Sequence, residues 1–205
     1  MILIENIISK KWQRDIYDLV RLLPYTYNAG TAYHLESMNP IDLFAQGLEI
    51  GRDIVLDENT IETPQFVFVA QPSQPEYKEF IPFLYLIEDH TKKNIVEITR
   101  IKINCLIQND NLVDGKHNIA HVDISSDDPN FLSAIYYVND SDGDTFFFNE
   151  HFSDGEVVEK LTVKKRVTPK MGSMVIFPSD QYHASSNPVS NRSRFVINFL
   201  FRVSS

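Results

Sequence analysis

From residue 97 onward the sequence has strand-forming segments one after another, and this series limits the fold more than any other feature. Each segment is rich in β-branched and aromatic residues, and short turn sequences with Asp, Asn, Gly or Pro separate them. The predicted strands are 98–108, 119–124, 132–139, 145–149, 156–167, 173–177 and 193–203. Together with the helices that precede it, this series predicts a mainly β (α+β) fold, a double-sheet barrel or jelly roll with helices on one face.

The first 96 residues carry the helical signals. Apolar residues recur at helical spacing in 9–23, which Pro24 closes, and 76–93 predicts a second helix. Residues 63–70 predict one more strand. We therefore expect a single domain over residues 1–205, with a helical and supporting region of about 1–96 and a jelly-roll core of about 97–205.

The segment 100–108 alternates most regularly between apolar and polar residues. Ile101, Ile103 and Cys105 share one face, and Lys102 and Asn104 share the other. The apolar face is expected to pack beneath the helices, because a one-residue register slip would bury the wrong face throughout. The polar face then points into the barrel, where polar groups are costly unless they bind something.

Composition excludes several classes of protein. The net charge of −9 argues against a protein that binds nucleic-acid phosphates, because no basic stripe exists to release counterions. No apolar run approaches the roughly 18 residues of a membrane span, and the acidic residue at position 5 interrupts any secretory segment. The single cysteine, Cys105, cannot form an internal disulfide and suits a reducing cytoplasm.

The sequence His121-Val122-Asp123 is a candidate metal site. Residues i and i+2 of a strand point the same way, so His121 and Asp123 can face one ion while Val122 points away. A third ligand, His183, lies downstream, and two imidazoles with one carboxylate form the facial triad that holds Fe(II). Taken alone, the pair 121 and 123 is more typical of a solvated loop than of a metal site, and a single histidine such as His183 is more typical of the surface.

The other histidines have no matched partner in the sequence and are interpreted as surface residues without a metal. They are His34, His90, His117 and His151.

The motifs from about Arg100 to Phe201, taken in order, resemble the Fe(II)/2-oxoglutarate-dependent oxygenases, and within them the prolyl-4-hydroxylase-like group. The segments that carry the resemblance are HVD at 121–123, LSAIYYVN at 132–139, DGDT at 142–145, VTPKMG at 167–172, MVIF at 174–177, and the stretch from 183 to 199. The phrase YYVNDSDGDTFFF is similar to versions of this fold carried by bacteriophages.

This resemblance implies a double-stranded β-helix, a cupin-like jelly roll with an N-terminal helical layer. It implies Fe(II) bound by His121, Asp123 and His183, with 2-oxoglutarate and O2 as co-substrates and ascorbate as a candidate reductant. The implied reaction is hydroxylation with release of succinate and CO2, and no side chain beyond the metal centre need act as acid or base. Asp123 favours hydroxylation or a related oxidation, because the halogenases of the family lack this carboxylate.

The resemblance assigns the distal carboxylate of 2-oxoglutarate to Arg194, at the start of an apolar strand-like run. Arg192 is the competitor, because it lies two residues earlier and would share a face if the strand began that early. Tyr137 lies 16 residues after His121, a spacing similar to that of the prolyl-hydroxylase tyrosine that meets the same carboxylate. The alternative for Tyr137 is a core tyrosine.

The strand 100–108 departs from the family pattern, because it lacks the tyrosine that often faces the co-substrate. Asn104 and Lys102 are candidates for that role. The alternative for Lys102 is a rim charge paired with an acid such as Asp144.

The substrate class stays open at this stage: a peptidyl proline, an amino acid or another small metabolite. A non-catalytic jelly-roll module with a vestigial metal site is the main alternative. A nucleic-acid demethylase of the AlkB-like branch would carry a second arginine six residues after Arg194, where this chain has Leu200. We expect no nucleic-acid or membrane partner and a cytoplasmic location.

Overall fold

The computed structural model describes residues 1–31, 53–153 and 157–204. These residues form two helices, α1 (Lys10–Val20) and α2 (Tyr77–Thr91). They also form twelve strands: β1 (Ile2–Ile4), β2 (Thr26–Asn28), β3 (Ile54–Val55), β4 (Gln65–Val69), β5 (Ile95–Ile107), β6 (Ala120–His121), β7 (Phe131–Tyr137), β8 (Thr145–His151), β9 (Val163–Val167), β10 (Met174–Pro178), β11 (Gln181–Ser185) and β12 (Ser193–Val203). Within this part of the chain, neither helix is long and apolar enough to span a membrane.

The strands form two antiparallel sheets. The larger sheet has seven strands in the order β1-β10-β7-β12-β5-β4-β2, and the smaller has five in the order β3-β6-β11-β8-β9. Strands β5, β7 and β12 lie side by side in the larger sheet, where β12 pairs with both neighbours. This is the jelly roll predicted from the sequence.

The two helices cover one face of the larger sheet. Phe83 of α2 is fully buried and contacts Trp12, Tyr136 and Phe199, with ring centroids 4.7–5.6 Å apart. The same apolar cluster includes Ile101 and Ile103 of β5, so these two residues pack beneath the helices as predicted, whereas Cys105 is buried outside this cluster. The N-terminal helical layer expected from the sequence is therefore present.

The opposite face of the larger sheet looks toward the smaller sheet. Ile135 and Tyr137 of β7, Val196 of β12, and Phe147 of β8 form part of an apolar cluster between the sheets. Because Tyr136 lies in the helix-facing cluster, the two adjacent tyrosines point to opposite sides, as strand geometry requires. The inter-sheet space continues into a cavity of about 300 Å³.

Several predicted elements are shorter than expected. The strand predicted at 119–124 is formed only at Ala120–His121, and the strand predicted at 156–167 only at Val163–Val167, with residue 156 outside the described residues. Both helices and the other predicted strands are found close to their predicted positions.

Four strands were not predicted: β1, β2, β3 and β11. Three of them belong to the region before residue 97, so this region extends both sheets as well as supplying the helices. Strands of two or three residues are too short to show an alternating pattern in the sequence. They are defined by their pairing with a neighbouring strand and not by their own residues.

Replacing Phe83 with alanine is expected to lower the free energy of unfolding by about 3–5 kcal/mol, because a fully buried aromatic ring leaves a cavity between α2 and the larger sheet. Tyr85→Ala on the same helix is the matched control, since Tyr85 is 63% exposed and its loss is expected to change stability by less than about 0.5 kcal/mol. Urea unfolding followed by circular dichroism measures both. Equal effects would contradict the placement of α2.

Candidate metal centre

Three side chains of the metal-ligating type meet between the two sheets. His121 ends β6, Asp123 follows two residues later, and His183 lies on β11 directly opposite His121 in the strand register. Their nearest ligand atoms all lie within 4.8 Å of one another. The side chain of Val122 belongs to the apolar cluster on the outer face of the smaller sheet, so it points away from the ligands.

Both histidine rings are held in the same way. The Nδ1 atom of His121 lies 3.1 Å from the carbonyl of Ile119, and Nδ1 of His183 lies 3.0 Å from the carbonyl of Gln181. A carbonyl can only accept, so each Nδ1 carries a proton, and Nε2 is the nitrogen that each neutral ring has free for a ligand. This tautomer presents Nε2 to a metal ion.

The Asp123 carboxylate accepts hydrogen bonds from three side chains. Arg100 Nη2 donates to Oδ1 at 2.6 Å, Ser133 Oγ donates to Oδ2 at 2.6 Å, and Asn198 Nδ2 lies 3.2 Å from both oxygens. Burial alone would raise the pKa of Asp123, but His183 and Arg100 lower it well below its usual range. The carboxylate is therefore ionised and fixed in orientation.

The ligand set suits a divalent metal ion. Burial, and next the nearby His183, lower the pKa of His121 to about 3, so this ring is neutral at physiological pH. Neutral imidazole nitrogens and an ionised carboxylate are the donors that a two-histidine, one-carboxylate iron site requires. The site fits Fe(II) by the chemistry and the convergence of its donors.

Arg194 lies in the same cavity and is almost completely buried. Its Nε donates to the carbonyl of Gly143 at 2.8 Å, and its Nη2 donates to Thr145 Oγ1 at 2.7 Å. Within the described residues it has no carboxylate partner, and burial lowers its pKa. An unpaired buried guanidinium is costly, so this end of the cavity is built for an anion. Arg192, the competitor, is exposed.

Tyr137 and Gly143 complete the surroundings of Arg194. The hydroxyl of Tyr137 donates to Thr145 Oγ1 at 2.8 Å, and burial raises the pKa of this phenol to about 12. A Cβ on Gly143 would lie 2.5 Å from the carbonyl oxygen of Ser186, so only glycine lets these segments approach so closely. This close packing brings the Gly143 carbonyl to the guanidinium.

Lys102 and Asn104 of β5 line the same cavity. The Oδ1 atom of Asn104 is buried without a hydrogen-bond partner among the described residues. Burial, and next the charge of Arg100, lower the pKa of Lys102 to about 8. The alternative partner considered for Lys102, Asp144, instead accepts from Arg166 at 2.8 Å and from Thr168 at 2.7 Å.

Three of the four histidines interpreted as surface residues have hydrogen-bond partners, including His90, whose Nδ1 lies 2.8 Å from the carbonyl of Leu86. His117 is almost completely buried, with Nδ1 2.8 Å from the carbonyl of Asn118 and Nε2 3.7 Å from Asp57 Oδ1, so its interpretation as a surface residue is wrong. His151 lies 3.1 Å from Asp180 Oδ2 at the surface, and His34 lies outside the described residues.

Four residues of the site were not singled out from the sequence: Arg100, Ser133, Thr145 and Asn198. A usable signal existed for Asn198, because it shares a face of β12 with Arg194. The same argument applies to Ser133, two positions from Ile135 on the inward face of β7. The side-chain partner of each residue depends on which strands of the other sheet face it. The periodicity of the sequence does not reveal that arrangement.

Comparison with known families identifies residues 107–202 as a match to the family described as "2OG-Fe(II) oxygenase superfamily". A search of curated proteins finds no match to the sequence.

Solved structures share the fold at low sequence identity. A prolyl-4-hydroxylase from Pseudomonas putida superposes with a TM-score of 0.53 at 16% identity, covering 100% of this chain and 92% of that one. A Trichoplax adhaerens prolyl hydroxylase, solved with a hypoxia inducible factor peptide fragment, gives 0.57 at 11% identity and covers 98% and 82%. The viral collagen prolyl hydroxylase of Paramecium Bursaria Chlorella virus-1, solved as a 2OG complex, gives 0.52 at 11% identity and covers 99% and 96%.

Replacing His183 with alanine is expected to weaken binding of Mn(II) or Co(II) on the order of 100-fold or more, because one of three ligands is lost. His151→Ala is the matched control, since His151 contacts Asp180 and not the metal centre. Calorimetric titration of each variant with the metal measures the dissociation constant. Metal affinity that survives in His183→Ala would show that the ligands lie elsewhere.

Proposed function

We propose that this chain, whose residues 107–202 match the 2OG-Fe(II) oxygenase superfamily, hydroxylates a small molecule or peptide bound beside His121, Asp123 and His183. The enzyme is a 2-oxoglutarate-dependent dioxygenase. When bound, Fe(II) with 2-oxoglutarate and O2 supplies the oxidising chemistry, in which the keto acid loses CO2 and becomes succinate.

The protein's own residues hold and orient the reactants. His121, Asp123 and His183 would hold the metal through two Nε2 atoms and one carboxylate. Arg100, Ser133 and Asn198 keep that carboxylate ionised and fixed. Aromatic rings of Phe147 and Phe177 lie against His183 and keep water from its sides.

The observation that carries this proposal is the position of Arg194. Its guanidinium is buried in the cavity that also contains the three metal ligands, and among the described residues it has no carboxylate partner. A dicarboxylate that binds the metal through one end and Arg194 through the other satisfies both sites at once. Tyr137 and Thr145 lie beside Arg194 and are proposed to complete the co-substrate site.

The substrate is proposed to be a peptidyl proline, an amino acid or another small metabolite. Peptidyl proline finds support in the names of the prolyl hydroxylases that share the fold. Four further points remain predictions: the use of ascorbate, an affiliation with phages, a cytoplasmic location and the absence of a nucleic-acid partner.

Replacing Arg194 with alanine is expected to abolish 2-oxoglutarate binding while metal affinity stays nearly unchanged. Loss of a buried charged contact of this kind costs on the order of 2–5 kcal/mol. Arg192→Ala is the matched control, because Arg192 is exposed. Calorimetry with 2-oxoglutarate on the Mn(II)-loaded protein, and succinate release with Fe(II), measure both steps. A larger effect of Arg192→Ala would mean that a different arginine binds the co-substrate.

Replacing Asn104 with leucine keeps the side-chain volume nearly constant and removes the amide. Because the Asn104 amide lines the cavity and its oxygen lacks a partner among the described residues, we expect weaker 2-oxoglutarate binding with little loss of folding stability. The dissociation constant of 2-oxoglutarate and the urea unfolding midpoint measure the two effects separately. Unchanged affinity would remove Asn104 from the co-substrate site.

A further inference from the structure

The described lining of the cavity has more cationic than anionic side chains. Arg100, Lys102 and Arg194 are the cations, and Asp53 and Asp123 are the carboxylates. Asp53 is exposed, whereas Arg194 and Asp123 are buried. Arg100 is paired with Asp123, whereas Lys102 and Arg194 have no anionic partner among the described residues. Cations held away from water need anionic partners, so these two indicate that anionic ligands occupy the cavity.

The metal and co-substrate do not remove the imbalance. Asp123 would serve both Arg100 and a divalent metal, one carboxylate of 2-oxoglutarate would bind that metal, and the other would neutralise Arg194. Lys102 is left without an anionic partner, and among the described lining residues only exposed Asp53 remains to balance it. Lys102 has neither an ion pair nor a hydrogen bond with any described residue.

The strand register separates Lys102 from Arg194. Lys102 lies opposite Asn198, which contacts Asp123, whereas Arg194 lies opposite Leu106. Four residues along a strand correspond to about 13 Å, so the two cations lie at different ends of the cavity. On the other side of β5, Lys102 neighbours Val69 of β4, which also lines the cavity.

We propose that Lys102, with Arg100 beside it, binds a carboxylate of the substrate, so that the substrate is a small carboxylic acid. This inference rests on the proposed function and narrows it. Arg100 already donates to Asp123, so it would bridge the metal ligand and the substrate, and Lys102 would carry most of the substrate's charge.

The size and lining of the cavity support a small molecule. The cavity holds about 300 Å³, at the low end for ligand sites, and 2-oxoglutarate takes part of it. Val67 and Val69 give the region beside Lys102 an apolar wall that suits a short hydrocarbon skeleton. An internal proline of a peptide has no carboxylate of its own and would leave Lys102 unpaired.

The test compares free carboxylates with their neutral amides. Succinate release with Fe(II) and 2-oxoglutarate is measured against the twenty standard L-amino acids, straight-chain monocarboxylic acids of two to six carbons and their 2-hydroxy derivatives. The primary amide of each compound and a capped, uncharged proline peptide form the second arm. Calorimetry with 2-oxoglutarate on the Mn(II)-loaded protein reports the co-substrate site independently of any substrate.

The variants are Lys102→Met, which keeps the length of the side chain, Lys102→Arg, which keeps the charge, and Lys165→Met as a control on exposed β9. At least one carboxylate is expected to stimulate succinate release, with its amide at least tenfold weaker. Lys102→Met is expected to raise the KM of that carboxylate at least about tenfold, while the affinity for 2-oxoglutarate changes less than about threefold. Lys102→Arg is expected to restore most of the lost affinity for the carboxylate. Thermal unfolding confirms that each variant is folded.

Three results would overturn the inference while leaving the proposed function intact. The first is that an amide or the capped peptide stimulates succinate release as strongly as the carboxylate does. The second is that Lys102→Met lowers the affinity for 2-oxoglutarate as much as the affinity for the substrate. The third is that no carboxylate stimulates succinate release although 2-oxoglutarate binds. Failure of the unaltered protein to bind 2-oxoglutarate would instead refute the proposed function and the inference with it.

Discussion

The whole site depends on the hydrogen-bonded register of β12. This strand pairs with β7 on one side and β5 on the other, so it is fixed from both edges. The register sends Arg194 and Asn198 into the cavity and Ile197 and Phe199 into the core beneath the helices. A slip of one residue would exchange these faces, so the cavity would lose both the buried Arg194 and a donor to Asp123.

That register also explains how a buried carboxylate is tolerated. Asp123 lies in a short segment after β6, yet its oxygens accept from residues of three strands of the opposite sheet: Arg100 of β5, Ser133 of β7 and Asn198 of β12. Charged and neutral donors together offset the cost of burial and hold the carboxylate beside the two imidazoles. The metal centre is therefore preorganised by contacts that cross between the sheets.

The sequence predicted the jelly roll, both helices and the apolar face of β5, because these depend on local periodicity and turn residues. It could not predict contacts decided by strand order. Arg100 was only one polar residue on an alternating strand until the fold brought it to Asp123. His117 was misinterpreted for the same reason: its partners, Asp57 and the carbonyl of Asn118, do not form a recognisable motif with it. The strand containing His183 was missed because its five residues mix small, polar and aromatic side chains.

The two ends of the cavity differ in how firmly hydrogen bonds hold their cations, and this difference fits the ligand that we propose for each end. Arg194 is held by hydrogen bonds to Gly143 and Thr145, so its planar fork is fixed in advance for the co-substrate that we propose it binds. Lys102 has no hydrogen bond among the described residues and sits on a flexible four-carbon stem beside an apolar wall. A point charge that can turn toward its ligand tolerates a wider range of carboxylate positions than a fixed fork does. The fold thus combines a rigidly held arginine, where we propose that the co-substrate binds, with an adaptable cation near the three candidate metal ligands, where we propose that the substrate binds.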